Sequence, residues 1–278
     1  MTVRIPAIGF IISLLVMGLT LGACSRILGE SEPVVIPTQA NITYEDLQTA
    51  LPFTQNAPPP GFESVSFPNI DDNLVNMVHS RFVIEASFAG FYADTRELAP
   101  DSWLRIEVWN DELNVRRHVR LEFEGDVFSG GSTYLDVVRL SNNYYMIDSN
   151  GICTTNPEEV APFATLSAGQ LIGGVEFAQP SGRKDLINDV VAWQYGFDPQ
   201  FINQPYLQLT ESISELDYLT GELWFSPENQ IVVRYTIEMN VNRAILFFGE
   251  RPVTGRLRYQ YNVYDIGFPP NISIPNGC

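Results

Sequence analysis

Apolar and polar residues alternate along much of the chain after residue 80. In residues 82–88, Phe82, Ile84, Ala86 and Phe88 are apolar, and two of the three residues between them are polar. Because successive side chains of a β-strand point to opposite faces, this period of two gives each strand one dry and one wet face. Such strands are typical of an antiparallel sheet. The same alternation occurs in residues 104–108, 119–123, 234–241 and 257–263.

Short polar runs separate these segments and predict hairpin turns between them. The clearest turns are residues 110–112, 141–143 and 226–230, each of which lies between two strand-like segments. A further segment, residues 189–195, is rich in residues that favour strands. The chain therefore predicts many strands joined to their sequence neighbours.

A few helical segments interrupt the strands. The strongest begins with the sequence NPEE at residues 156–159, which supplies an Asn cap, a Pro at the first position and acid in the first turn. It leads into the apolar residues Val160, Phe163, Leu166, Leu171 and Ile172. Shorter helices are predicted at residues 43–51 and 212–216. This mixture predicts a mainly β (α+β) fold, with one large curved antiparallel sheet covered on one side by helices.

The N-terminus resembles an export signal followed by a lipid attachment site. Arg4 precedes an uncharged run over residues 5–23 that ends in small residues, the layout of a secretory signal peptide. The run is also long enough to be a membrane-spanning helix. Residues 21–24, LGAC, are similar to the lipobox of bacterial lipoproteins, which implies cleavage before Cys24 and lipidation of that cysteine. The alternatives are an uncleaved signal anchor and an ordinary thiol at Cys24.

These features divide the chain into three parts. Residues 1–23 are the predicted signal peptide, residues 24–42 a lipidated N-terminus with a flexible tether, and residues 43–278 one domain. Two or more acyl chains hold a domain stably at a bilayer, so the membrane is an expected partner through Cys24. We expect an exported protein anchored to the outer face of the cytoplasmic membrane or to an outer membrane. The sequence indicates no oligomeric state.

The net charge and the cysteine content limit the classes of partner and the covalent links that the chain is expected to have. The formal net charge is −17, so no basic patch is available to neutralise the phosphates of a nucleic acid. With Cys24 lipidated, Cys153 and Cys278 are the remaining cysteines. Two thiols in an oxidising compartment most simply form a disulfide, and two free thiols are the alternative.

Signals for an active site or a metal site are weak. His79 and His118 lie in different predicted elements and have no ligand-like residues nearby in sequence. Residues 148–151, DSNG, match the start of a calcium loop, but the later ligands are missing and a hairpin turn is expected there. We therefore predict no enzyme activity, no metal and no cofactor. A hydrolase would need convergent polar groups in a pocket.

Three stretches resemble the LolA-like and LprG-like (LppX-type) bacterial lipoproteins. They are DVVRLSNNYYMIDSNG at residues 136–151, GELWFSPENQIVVRY at residues 221–235, and YNVYDI with NISIP at residues 261–266 and 271–275. The resemblance covers roughly residues 80–278 and implies a half-barrel with helices across its concave face. The chain departs from that pattern at Cys153, where relatives commonly have an aromatic residue, and in an extra segment over residues 242–253.

The resemblance also implies that a lipid or another apolar ligand binds between sheet and helices. Candidate ligand contacts are Phe163, Leu166, Tyr235, Ile237, Met239, Tyr259, Tyr261, Phe247 and Phe248. Each of them has the alternative of a place in a closed core. We expect a lipoprotein that binds or carries a lipid or acylated molecule, and a carrier needs a continuous apolar cavity. The alternative is a non-catalytic envelope interaction or sensor module of the same fold, whose core is allowed to be filled.

An apolar segment at residues 244–249, AILFFG, has two interpretations. It is either a buried strand that continues residues 235–241, or a hydrophobic loop at the mouth of the half-barrel that touches the bilayer or the ligand. Charged residues on both sides fit either interpretation.

Overall fold

The computed structural model describes residues 57–129, 134–205, 207–211 and 215–278, without the side chain of residue 219. These residues belong to one compact unit. The predicted signal peptide, Cys24, the tether and the helix at residues 43–51 lie outside the described residues.

The fold is mainly β, with one large antiparallel sheet that curves without closing and two short helices on its concave side. The predicted fold class is therefore confirmed. The strands are β1 (Val65–Phe67), β2 (His79–Tyr92), β3 (Ser102–Asp111), β4 (Arg116–Glu124), β5 (Tyr134–Leu140), β6 (Asn143–Asp148), β7 (Cys153–Thr154), β8 (Gly174–Ile187), β9 (Val190–Gly196), β10 (Ile202–Asn203), β11 (Leu207–Leu209), β12 (Glu215–Ser226), β13 (Ile231–Leu246) and β14 (Val253–Tyr264). Their order is β1-β8-β9-β12-β13-β14-β2-β3-β4-β5-β6-β7, with β10 beside β8 and β11 beside β13.

The helices are α1 (Pro157–Ala164) and α2 (Ala168–Ile172). The start of α1 is as predicted, because the Asn156 side chain accepts a hydrogen bond from the Glu158 N–H at 3.2 Å. The predicted helix at residues 212–216 is wrong where the structure describes it. Leu216 lies in β12 opposite Val241, since pairing with the long strand β13 outweighs the local capping signal. Residues 212–214 lie outside the described residues.

The strand β8 has no counterpart among the predicted strands. Its residues are mostly exposed, and its pairing with β9 is irregular between Pro180 and Lys184. Without a buried face there is no period of two to detect, so the sequence carried no strand signal there.

The two faces of the sheet differ in chemistry. On the inner face of β2, Ile84 is 0% exposed, whereas Glu85 and Ser87 on the outer face are exposed. The buried residues of α1 and α2 belong to the same apolar core as the inner-face residues. The alternation read from the sequence therefore separates a closed core from a polar surface.

The C-terminal tail, residues 265–278, crosses the outer face. Near its start the Gly267 N–H donates to the His79 carbonyl at 2.9 Å, and the following residues lie over Trp109 and His118. At its end Cys278 is bonded to Cys153 of β7, with the Cα atoms 5.3 Å apart. The predicted disulfide is confirmed, and it closes the tail onto the far edge of the sheet.

Candidate functional site

A small apolar pocket opens on the inner face between β12, β13 and the segment that joins β9 to β10. It encloses about 180 Å³ and is lined by Phe197, Pro199, Ile202, Tyr218, Thr220, Gly221 and Ile237. More of its surface is apolar than polar, which suits an aliphatic chain rather than a charged molecule.

The local sequence shapes this pocket through a glycine and a capped turn. A Cβ atom at position 221 would lie 2.7 Å from Cζ of Phe197, so glycine is required for the ring to lie against β12. The side chain of Asp198 accepts a hydrogen bond from the Gln200 N–H at 3.0 Å and fixes the 3-10 turn Pro199–Phe201. Phe197 and Ile202 are half-buried, in contrast to the fully buried Ile237 beneath them.

A hydrogen-bonded cluster of neutral polar groups adjoins the pocket. The Tyr218 hydroxyl donates to Oε1 of Gln204 at 2.9 Å, and Nε2 of Gln204 donates to the Tyr259 hydroxyl at 2.7 Å. The Tyr235 ring lies 6.0 Å from the Tyr259 ring. Burial raises the pKa of each of these three tyrosines above its usual value, so their hydroxyls stay neutral at neutral pH. Hydroxyl and amide groups of this kind suit the carbonyl of an ester or amide.

The sheet residues predicted to contact a ligand are tightly packed. Tyr235, Ile237, Met239, Tyr259 and Tyr261 are at most 2% exposed. Because accessible surface includes the walls of internal cavities, such low values mean that protein atoms surround these side chains. Of the five, Ile237 lines the pocket. Ligand contact by the other four stays a prediction, and it requires the core to open.

The predicted lid residues lie over another part of the sheet. Helix α1, which carries the half-buried Phe163, packs against β4, β5 and β6, and Leu166 is 6% exposed. Nη2 of Arg117 donates to the Leu166 carbonyl, and the Asp71 carboxylate accepts from the Ala168 and Gly169 N–H groups. Burial raises the pKa of Asp71 and lowers that of Arg117 to about 10. The Arg117 bond joins the segment between the helices to β4, and the Asp71 bonds join the start of α2 to the loop after β1. These bonds do not bring Phe163 to the pocket.

The apolar segment at residues 244–249 agrees with the strand interpretation. β13 continues to Leu246, and Ala244 and Leu246 are 0% exposed. The rings of Phe247 and Phe248 pack edge-on against Phe128 and Phe123, at 5.6 and 5.9 Å. A role for these two residues in ligand binding is untested, and their packing is that of a core.

Most of the pocket residues had no signal in the sequence. Phe197, Pro199 and Ile202 belong to an irregular segment without periodicity, so only tertiary structure places them over β12.

Each histidine of the described chain is paired with a carboxylate. His79 lies 3.3 Å from Asp111, and His118 binds Asp136 on the outer face. Burial acts to raise the pKa of Asp136, but the hydrogen bond and charge of His118, together with its other polar neighbours, outweigh burial and lower that pKa below its usual value. Across the residues that the structure describes, no group of three or more His, Cys, Asp or Glu side chains is placed to hold a metal ion. No helix in that part of the chain is long and apolar enough to cross a membrane.

Comparison with known proteins adds no family to this geometry. No model of a known protein family matches the chain, and no curated protein matches it.

Proposed function

We propose that this protein is a lipid-anchored, exported lipoprotein that binds a lipid or an acylated molecule at the inner face of its sheet. The observation that carries the proposal is the apolar pocket at Ile237, with its neighbouring chain of neutral hydroxyl and amide groups. An acyl chain would lie between the apolar walls, and an ester or amide carbonyl would replace Oε1 of Gln204 as the acceptor for the Tyr218 hydroxyl. The lipobox-like sequence before Cys24 supports the anchor.

The pocket as it stands holds only part of such a ligand. Its volume of about 180 Å³ is below the roughly 300–1,000 Å³ of drug-sized ligand sites. Deeper entry requires Phe197 to leave Gly221, which would open the way toward Tyr235. The segment from Phe197 to Ile202 is the gate in this proposal, because Phe197 and Ile202 are half-buried and residues 198–200 are exposed, while Ile237 beneath them is fully buried.

A second candidate function is a non-catalytic interaction module of the envelope. It is favoured by the dense packing of Tyr235, Met239 and Tyr261, each 0% exposed, because a module that recognises partners through its surface needs no internal cavity.

Filling the pocket tests the first candidate directly. Ile202→Trp places a larger side chain at the pocket wall and is expected to weaken uptake of a fluorescent fatty acid by about tenfold. Val191→Trp is the matched control, since Val191 is 44% exposed on β9 and lies outside the pocket. Uptake is measured by titration, and unfolding midpoints confirm that both variants are folded. Equal uptake by the two variants would exclude this pocket as the entry site.

A further inference from the structure

Two adjoining clefts form a continuous groove on the outer face, on the side of the sheet opposite the pocket. They enclose about 530 and 390 Å³ and share Ser87, Trp103 and Arg258. We call this feature the outer groove and define it by these three residues together with Gln260 and Ala89, which line one cleft each. It runs across β14, β2 and β3.

Strand register creates the groove. Arg258 of β14 is paired with Ser87 of β2, and Ser87 is paired with Trp103 of β3, so the three form one row across the sheet. Neighbouring strands lie about 4.8 Å apart, which puts roughly 10 Å between the backbones that carry Arg258 and Trp103. The small side chain of Ser87 fills little of that space. The Arg258 guanidinium and the Trp103 indole therefore form the two sides of the groove, and Ser87 forms its base.

The indole is held in place with part of its surface exposed. Trp103 is 38% exposed, and its indole N–H donates to the carboxylate of Glu124 on β4. The hydrogen bond fixes the ring orientation and uses the polar edge, so the exposed surface of the ring is apolar. An oriented aromatic surface beside polar side chains suits a ligand with both C–H and hydroxyl groups.

Among the arginines of the groove, Arg258 differs from its neighbours. Arg105 is paired with Glu85 and Glu107, and Arg256 is paired with Glu238. Arg258 is exposed and makes no ion pair or side-chain hydrogen bond with any residue that the structure describes. An arginine in this state offers a planar pair of donors that matches a carboxylate.

We propose that the outer groove binds a saccharide that carries a carboxylate, such as a uronic acid unit of an acidic glycan. The C–H face of the sugar ring would lie on Trp103, the carboxylate would pair with Arg258, and hydroxyls would bond to Ser87 and Gln260. The surrounding glutamates and the net charge of −17 repel a ligand that carries many negative charges. Arg258, as a single unpaired cation, suits a saccharide with one carboxylate. The groove is separate from the inner pocket, so the two binding proposals stand or fall independently.

Oligosaccharide titration of the mature protein tests this proposal. The probes are a galactose tetrasaccharide in which one unit is galacturonic acid, the matching neutral galactose tetrasaccharide and inorganic phosphate, and binding is followed by tryptophan fluorescence and calorimetry. We expect the acidic tetrasaccharide to bind at least about tenfold more tightly than the neutral one, because a charge-assisted bidentate contact is lost with the latter. Phosphate is expected neither to bind at the groove nor to displace the acidic sugar.

Two variants and a control assign the binding to the groove. Arg258→Gln is expected to remove the preference for the acidic sugar, and Trp103→Ala to weaken both sugars by about tenfold. Arg116→Gln removes one exposed positive charge at the start of β4, outside the groove, and is expected to leave binding unchanged. Unchanged unfolding midpoints show that the variants are folded. The proposal is overturned if the wild-type protein binds neither sugar at millimolar concentration, or if it binds the neutral sugar as tightly as the acidic one. It is also overturned if phosphate displaces the acidic sugar, or if Arg116→Gln lowers the affinity for the acidic sugar as much as Arg258→Gln does.

Discussion

Phe247→Asp is expected to unfold the domain, because it places a charge where the structure has a buried ring. Phe247 is 5% exposed and packs against Phe128 at 5.6 Å. Loss of the ring and burial of an unpaired carboxylate together cost on the order of 5 kcal/mol or more, which approaches the whole stability of a typical domain. The backbone is not the cause, since Asp tolerates the left-handed conformation at φ 50° better than Phe does.

The matched control for this substitution is Phe268→Asp. Phe268 is 72% exposed in the C-terminal tail, so the same chemical change there is expected to alter stability by less than about 0.5 kcal/mol. Urea unfolding followed by circular dichroism compares the two variants with wild type. A folded Phe247→Asp variant with impaired lipid uptake would instead support the mouth-loop interpretation of residues 244–249.

Removal of the disulfide is the second large effect we expect. Cys153→Ala combined with Cys278→Ala opens a loop of 125 residues, and the chain-entropy model gives a loss of about 5 kcal/mol in the free energy of unfolding. The tail then remains on the outer face only through contacts such as the Gly267 N–H to His79 and the buried side chain of Ile272. Limited proteolysis is therefore expected to cut within residues 265–278.

Denaturation of the double variant and of reduced wild-type protein measures this loss. The two samples should agree, because both lack the same covalent link. Cys153→Ala alone is expected to match them and to expose one free thiol at Cys278. A stability within about 1 kcal/mol of the oxidised wild type would contradict the assignment of the disulfide as the main restraint on the tail.

The sequence was most informative where one face of a strand is buried. The alternation at residues 82–88 and 257–263 placed Ile84 and Tyr261 on the dry face of the sheet, and both are buried in the structure, since burial of one face imposes the period that was detected. The hairpin turn at residues 141–143 was visible for a different reason, its composition, and Ser141 adopts the positive φ such a tight turn requires.

The candidate site was far less visible. Ile237 was placed on the inner face by alternation, but its pocket is completed by Phe197 and Ile202, which follow no period. The outer groove depends on the register that aligns Arg258, Ser87 and Trp103 across three strands. Register is set by pairing over the whole sheet. Moreover, β14, which carries Arg258, lies far along the chain from β2 and β3.

The measurement that tests the central claim most directly is mass spectrometry of the organic extract from purified protein. The chain from residue 25 onward lacks Cys24, so any lipid recovered from it is bound rather than attached. The account predicts an acyl-chain lipid retained at a near-stoichiometric ratio in wild type and depleted in Ile202→Trp, but not in Val191→Trp. A folded wild-type protein that yields no lipid and takes up no fluorescent fatty acid would contradict it, and would leave the interaction module as the function.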